Sequence, residues 1–229
     1  MIRSAAHRST LRFILEAAEG LGLLPLVLIT WPVSRRWLEH WGSRPDERAR
    51  TWPGDGLVAM PHHTCTRAID IAAAGSDVWP WVVQFGLGRA GFYSYELFER
   101  LVGIPVKNVE SIVSELQSLA IGDDIRLHPK TPGIPVGLLE PGAHVCYGSL
   151  DESGESSSRP VPGRSWSIYI LPTGTGSSRL VLRSCIERVR EPSIGKRLSL
   201  ALEDAIDFLM EQRMLRTIRR LAESVPPGD

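Results

Sequence analysis

The sequence predicts an α+β fold, an antiparallel sheet followed by one long C-terminal helix. Three observations carry this. From about residue 121 the chain becomes short apolar runs broken by Gly/Pro turn signals, with no helical stretch between them, and strands so spaced pair antiparallel. Residues 194–223 then repeat apolar positions at helical spacing. Ahead of both lie one alternating strand and two short helical stretches.

In chain order, residues 9–19 open a helix with Ser9 or Thr10 as N-cap. Residues 20–33, GLGLLPLVLITWPV, form an uncharged apolar run with Arg8 and Arg12 before it and Arg35 and Arg36 after it. A membrane-spanning helix needs about 20 apolar residues; this run is shorter, is interrupted by Pro25 and Pro32, and is bounded by Glu16 and Glu19. It is expected to pack on its own domain, with membrane contact or a signal peptide as the lesser alternatives. Residues 34–56 are polar and rich in breakers. Trp31, Trp37, Trp41 and Trp52 are four of the seven tryptophans, too many for a free linker, so this arm should dock. The expected division is residues 1–60 as an apolar helix and Trp-rich arm packed on a domain of residues 61–229.

Residues 63–72 alternate as a first strand. GSDVWPWVVQF follows as a short helix with Ser76 at its cap and Pro80 tolerated near its start, and YSYELFERLVG as a second, closed by Gly103. Strands are expected at 125–128, 134–140, 144–150, 165–171 and 178–189, with a Ser/Pro-rich loop at 151–164.

Composition excludes several functions. The 26 basic and 26 acidic residues balance, and no long block of one sign marks a nucleic-acid surface. Cys65, Cys146 and Cys185 are scattered and read as small buried hydrophobes of a reducing cytoplasm rather than a disulfide framework. His62-His63-x-Cys65 lacks a second pair at ligand spacing, so no metal is expected.

Gly86-Leu-Gly88-Arg-Ala-Gly91 is a literal G-x-G-x-x-G. A dinucleotide fingerprint needs a strand before it and further βαβ units after it. Here a capped helical stretch precedes it, bulky Phe92 and Tyr93 follow, and everything past residue 120 is antiparallel strand. The glycines are expected to form a mobile turn that lets residues 92–95 close over a cavity mouth, and no cofactor is expected.

Strand, two short helices, antiparallel meander and final helix is the order of the helix-grip fold. The stretches AIDIAAAGSDVWPWVVQFGLGRAGFYSYELFERLVG, LAIGDDIRLHP, LLEPG, SWSIYILPTGTGSSRLVLRS and FLMEQRMLRTIRRLAE resemble actinobacterial members of the SRPBCC superfamily, START-like proteins of the polyketide cyclase/dehydrase type. The resemblance covers about residues 63–223. It implies a curved sheet gripping the last helix around a hydrophobic cavity, and members range from ligand carriers to cyclases of secondary metabolism. It carries over a cavity but no active site.

The last helix should line that cavity with Leu202, Ile206, Leu209, Met210, Met214, Ile218 and Leu221, while Ala201, Phe208 and Leu215 form a second stripe that the N-terminal segment should cover. Alternation turns Trp166, Ile168, Ile170, Leu180, Leu182, Ser184 and Ile186 inward and Arg179, Arg183 and Glu187 outward. In HVCYG either His144 and Cys146 or Val145 and Tyr147 point inward. Candidate catalytic groups are Tyr93, Tyr95, Tyr147 and His128; candidate substrate contacts are Arg89, Phe92, Trp166, Ile168, Leu182, Ser184, Ile206, Met210 and Met214. Glu211, Arg213, Glu203 and Asp207 read as solvated helix charges. The expected partner is a hydrophobic, polyketide-like small molecule, either cyclised or dehydrated without a cofactor or simply carried. Oligomeric state is left open.

Overall fold

A computed structural model describes residues 2–58, 61–148, 164–187 and 194–224. A long helix α1 (Ile2–Glu39) is followed by a one-turn helix α2 (Pro45–Ala49) and a 3-10 turn at Asp55–Leu57. Strand β1 (Pro61–Ile71), helices α3 (Gly75–Val83) and α4 (Glu96–Leu101), and strands β2 (Asp124–Ile125), β3 (Ile134–Glu140), β4 (His144–Tyr147), β5 (Arg164–Gly174) and β6 (Ser177–Glu187) come next, and helix α5 (Ile194–Glu223) ends the order. The six strands form one antiparallel sheet in the order β1-β6-β5-β4-β3-β2. β1 therefore crosses to the far side of β6, and α5 packs across β1 and α3. This is the α+β helix-grip layout.

Alternation divides the sheet into two faces. Ile69, Ile71, Val145, Tyr147, Ile168, Ile170, Leu180 and Leu182 join Met214, Leu215 and Ile218 of α5 and Phe85, Phe92 and Trp81 in the main core. Val145 and Tyr147 thus point inward, and Cys146 packs on the other face with Trp52, Tyr169 and Val181. The β4–β5 pairing sets Tyr147 opposite Trp166.

The outer face is not open to water. The arm of residues 40–58 lies across it and turns Arg179 and Arg183 into buried residues. Arg179 grips Glu47 with two nitrogens, one of them at 2.8 Å, and reaches Asp70 at 2.9 Å and the Gly42 carbonyl at 2.7 Å. Arg183 reaches Asp55 at 2.6 and 3.1 Å and Thr66 at 2.8 Å. Trp52 stacks on Tyr169 at 4.4 Å and donates to the Glu47 carbonyl at 2.7 Å. The sequence pattern placed both arginines correctly on the outer face. It missed their burial because pairing with Glu47 and Asp55 spans more than 120 positions.

The N-terminal segment differs from expectation. Instead of a helix over 9–19 followed by an interrupted run, α1 is one helix through Pro25 and Pro32. A proline inside a helix costs on the order of 3 kcal/mol. Both rings sit on the exposed side of α1, and packing of the other side offsets the cost. That inner side buries Val27 and Leu38 with Tyr95 and Phe98 from α4 and Ala205, Phe208 and Leu209 from α5. α1 therefore covers the Phe208 stripe, while Leu215 belongs to the main core. Trp31 and Trp41 are partly buried and Trp52 is buried, but Trp37 stays largely exposed.

Candidate functional site: a polar cluster between the sheet and the last helix

The glycine turn is the first candidate region. Gly86, Gly88 and Gly91 all have positive φ, which a β-carbon disfavours. Gly86 and Gly91 exchange two backbone hydrogen bonds, at 3.0 and 3.2 Å. The amides of Leu87, Arg89 and Ala90 are bonded to Arg126, Gly86 and Gln84 carbonyls, and those of Phe92 and Tyr93 to Asn108 Oδ1. A phosphate cradle needs free amides; here they are committed. Arg89, expected to steer substrate, donates to the carbonyls of Val83 and Leu116 at 3.2 and 2.7 Å. The expected mobile gate is thus a cross-braced hairpin. Tyr93 stands in the left-handed region at φ 56 and its hydroxyl accepts from Gln84 at 2.7 Å. Burial pushes its phenol up to about 12.

The expected substrate contacts divide between three places. Phe92, Trp166, Ile168, Leu182 and Met214 meet in the main core together with Tyr93 and Tyr147. Phe85 bridges them, with ring centroids 5.2 Å from Phe92 and 4.9 Å from Trp166, and Tyr147 stacks on Trp166 at 5.7 Å. Tyr95 and Met210 lie instead in the separate cluster under α1, where the Arg213 guanidinium sits 5.4 Å from the Tyr95 ring. His128 is outside both, its Nδ1 accepting from the Lys130 amide at 3.0 Å. Ile206 is half-buried on α5 and belongs to neither cluster.

Below Trp166 the interior turns polar. Arg67, inward-facing on β1 and buried, pairs with Glu211 of α5 and donates to the Leu38 carbonyl at 2.9 Å. Glu211 also accepts from Trp166 Nε1 at 3.2 Å and from Ser184 Oγ at 3.4 Å. One turn earlier Asp207 pairs with Arg164 at 2.9 Å. His63 lies 3.6 Å from Glu39 and 3.1 Å from Cys65 Sγ. Burial acts to lower the Arg67 pKa, yet Glu211 and its neighbours hold it above the ordinary value, so the guanidinium stays charged. Burial pushes the Cys65 thiol up to about 12, which removes it as a nucleophile because only the thiolate attacks. Among the described residues, no group of three metal-ligating side chains comes together.

These groups line a small, partly open cleft of about 20 Å³ bordered by Arg67, Ser184, Asp207 and Glu211 and flanked by Trp31, Arg35, Leu38 and Glu39 of α1. That is room for about one water molecule. Any larger guest must displace side chains or part α1 from α5. In the main core, the Tyr147 hydroxyl and Trp81 Nε1 are buried and have no hydrogen-bond partner among the described residues. Burial raises the Tyr147 pKa, opposed by the Arg89 charge, so Tyr147 is a hydrogen-bond donor and not a base at neutral pH.

Arg67, Glu211 and Asp207 were not expected here; the helix acids were read as solvated. A signal existed. Arg67 occupies an inward strand position between Cys65 and Ile69, and Asp204, Asp207 and Glu211 recur at i, i+3 and i+7 on one helix face. Neither is decisive until the strand and helix are known to face each other.

No protein-family model matches the chain, and no curated protein matches it. Among solved structures the chain is similar to a protein from Thermobifida fusca, at 15% identity and a TM-score of 0.39, over 69% of this chain and 94% of that one. It is similar also to truncated norcoclaurine synthase from Thalictrum flavum, at 13% identity and TM-score 0.35 over 72% and 95%. A third is the Aha1 dimer from Colwellia psychrerythraea, at 13% identity and TM-score 0.30 over 65% and 96%. None of these likenesses assigns a ligand or an activity.

Proposed function

We propose that the chain binds a hydrophobic, ring-forming small molecule between the sheet and α5 and promotes its cyclisation or dehydration without a cofactor. The carrying observation is the Tyr147 hydroxyl, buried and without a partner among the described residues, within an aromatic wall made with Phe85, Phe92 and Trp166. An unpaired buried hydroxyl costs about 1–3 kcal/mol, a cost that a ligand carbonyl or phenol would remove. Trp166 joins this apolar wall to the Arg67–Glu211 pair, so a guest seated on Trp166 meets a polar end at Glu211 and a hydrogen-bond donor at Tyr147.

In such a pose the protein would hold a flexible polycarbonyl chain in a folded, reactive conformer. Tyr147 would polarise one carbonyl and thereby make the neighbouring C–H more acidic. The resemblance to the polyketide cyclase/dehydrase type supports that substrate class by analogy alone. The second reading is a non-catalytic carrier. The wholly apolar layer around Ile168, Leu182 and Met214 favours it.

Quenching of Trp166 by a panel of hydroxylated polycyclic aromatics tests binding, with native mass spectrometry for a co-purified ligand. Saturable quenching is expected, weakened about 3- to 10-fold in Tyr147→Phe, the worth of one hydrogen bond. Equal binding by Tyr147→Phe would remove Tyr147 from the site. Conversion of a linear polycarbonyl thioester separates enzyme from carrier: binding without conversion selects the carrier.

A further inference from the structure

Helix α1 is apolar on two sides. Its inner side packs Val27, Leu38, Leu24 and Leu28 on the protein, and near its start Glu16 and Glu19 pair with Arg213 of α5 at 2.6 and 3.2 Å while Arg12 pairs with Glu110. Its opposite face is apolar and exposed, through Leu11, Ile14, Leu15, Leu26, Ile29 and Val33, with Ile29 79% and Val33 89% accessible. A helix on a water-facing surface does the opposite. Within Thr10–Glu39 an 18-residue window has a mean hydropathy of 1.8, and by length and composition the helix could cross a membrane.

We propose that the outer face of α1 lies in the interface of a lipid bilayer, parallel to its plane, with the sheet and α5 on the water side. From Leu11 to Val33 the apolar face runs about 33 Å at 1.5 Å per residue and takes in about a third of the circumference at 100° per residue. Pairing with a second copy would cover only the narrow seam of two paired helices; lipid covers the whole width. The border suits headgroups. Trp37 is largely exposed, Arg36 is exposed at the same end, and Arg216 of α5 flanks the groove that Leu26 and Trp37 share. Tryptophan and arginine at the rim of an apolar helix face are suited to anionic lipid surfaces. Spanning is excluded by the inner face, which is packed along the protein from the Glu16–Arg213 pair to Leu38. Moreover, the uncharged stretch Gly20–Ser34 is about 22 Å long, short of a hydrocarbon core of about 30 Å.

Co-sedimentation of the full chain with vesicles of mixed phosphatidylcholine and phosphatidylglycerol, and of phosphatidylcholine alone, is the test. The full chain is expected to pellet with the mixed vesicles and less with the neutral ones. Ile29→Gln/Val33→Gln is expected to reduce binding at least about 10-fold, since two buried side chains are lost from the lipid contact. Its circular dichroism and thermal unfolding should be unchanged, because both positions are exposed. Alkaline carbonate should release the protein from cell membranes. Wild-type protein left in the supernatant, equal binding by the double variant, or retention after carbonate would each overturn the proposal. So would a dimer in vesicle-free buffer that the double variant dissociates, which would assign the face to a second copy.

Discussion

The two faces of the sheet both bury arginine, to different ends. On the outer face, Arg179 and Arg183 are saturated by Glu47, Asp70, Asp55, Thr66 and a carbonyl, all from the arm or the neighbouring strand. On the inner face, Arg67 meets Glu211 beside a small cleft, and the Tyr147 hydroxyl, linked to Glu211 through the stacked Trp166 ring, has no partner among the described residues. A closed network of buried charges holds an arm in place; a network next to space and an unpaired donor has capacity left for a guest. Buried polarity therefore marks a scaffold on one side and a candidate site on the other.

That contrast can be tested by truncation. Glu47→Ala should have the largest effect, because it leaves Arg179 buried without its bidentate carboxylate; about 3–5 kcal/mol of stability is at stake. Urea denaturation measures it. The matching Glu211→Ala should cost less, since Glu211 is nearer to water than Glu47 and its pair is therefore less completely desolvated. If Glu211→Ala proved the more destabilising, the inner pair would be scaffold too.

Glu99 supplies a control, a buried carboxyl held by the Ser94 hydroxyl at 2.7 Å. Burial lifts it to about 7 from 4.5, with Ser94 opposing. Between those values the folded state binds more protons than the unfolded one, so stability falls as pH rises from about 4.5 to 7. The loss is roughly 3 kcal/mol at most, at 1.36 kcal/mol per pKa unit. Glu99→Gln should flatten that part of the stability–pH curve; an unaltered slope would mean that Glu99 is charged in its site.

The smallest effect belongs to Tyr147→Phe. Removing a hydroxyl that has no partner among the described residues should leave stability unchanged or raise it by about 1 kcal/mol, readable as a shift in thermal unfolding. A clear destabilisation would mean that the hydroxyl has a partner and is no vacancy for a ligand.

Much of the fold was legible because it is written in local pattern. Period-two alternation located β1, β5 and β6 and the faces of their residues, including Trp166, Ser184 and the outward arginines. Helical spacing located α5, and the surroundings of Gly86 and Gly91 excluded a dinucleotide site before any bond was seen. The candidate site was legible in part. Alternation turned Trp166, Ile168 and Leu182 inward but left Tyr147 open and did not name Phe85, and Tyr95 and Met210 went to another cluster because α1 creates a second core that the pattern of α5 alone cannot distinguish from the first.

The sequence by itself determined which residues alternate, where the chain turns and which helix is last, since each depends on neighbours a few positions apart. Tertiary structure alone decided that Arg67 meets Glu211 across 144 positions, that the arm buries Arg179, and which apolar side of α1 is packed and which is left exposed. Those are pairings between distant segments, and their free energy exists only once the chain has brought the partners together and excluded water from between them.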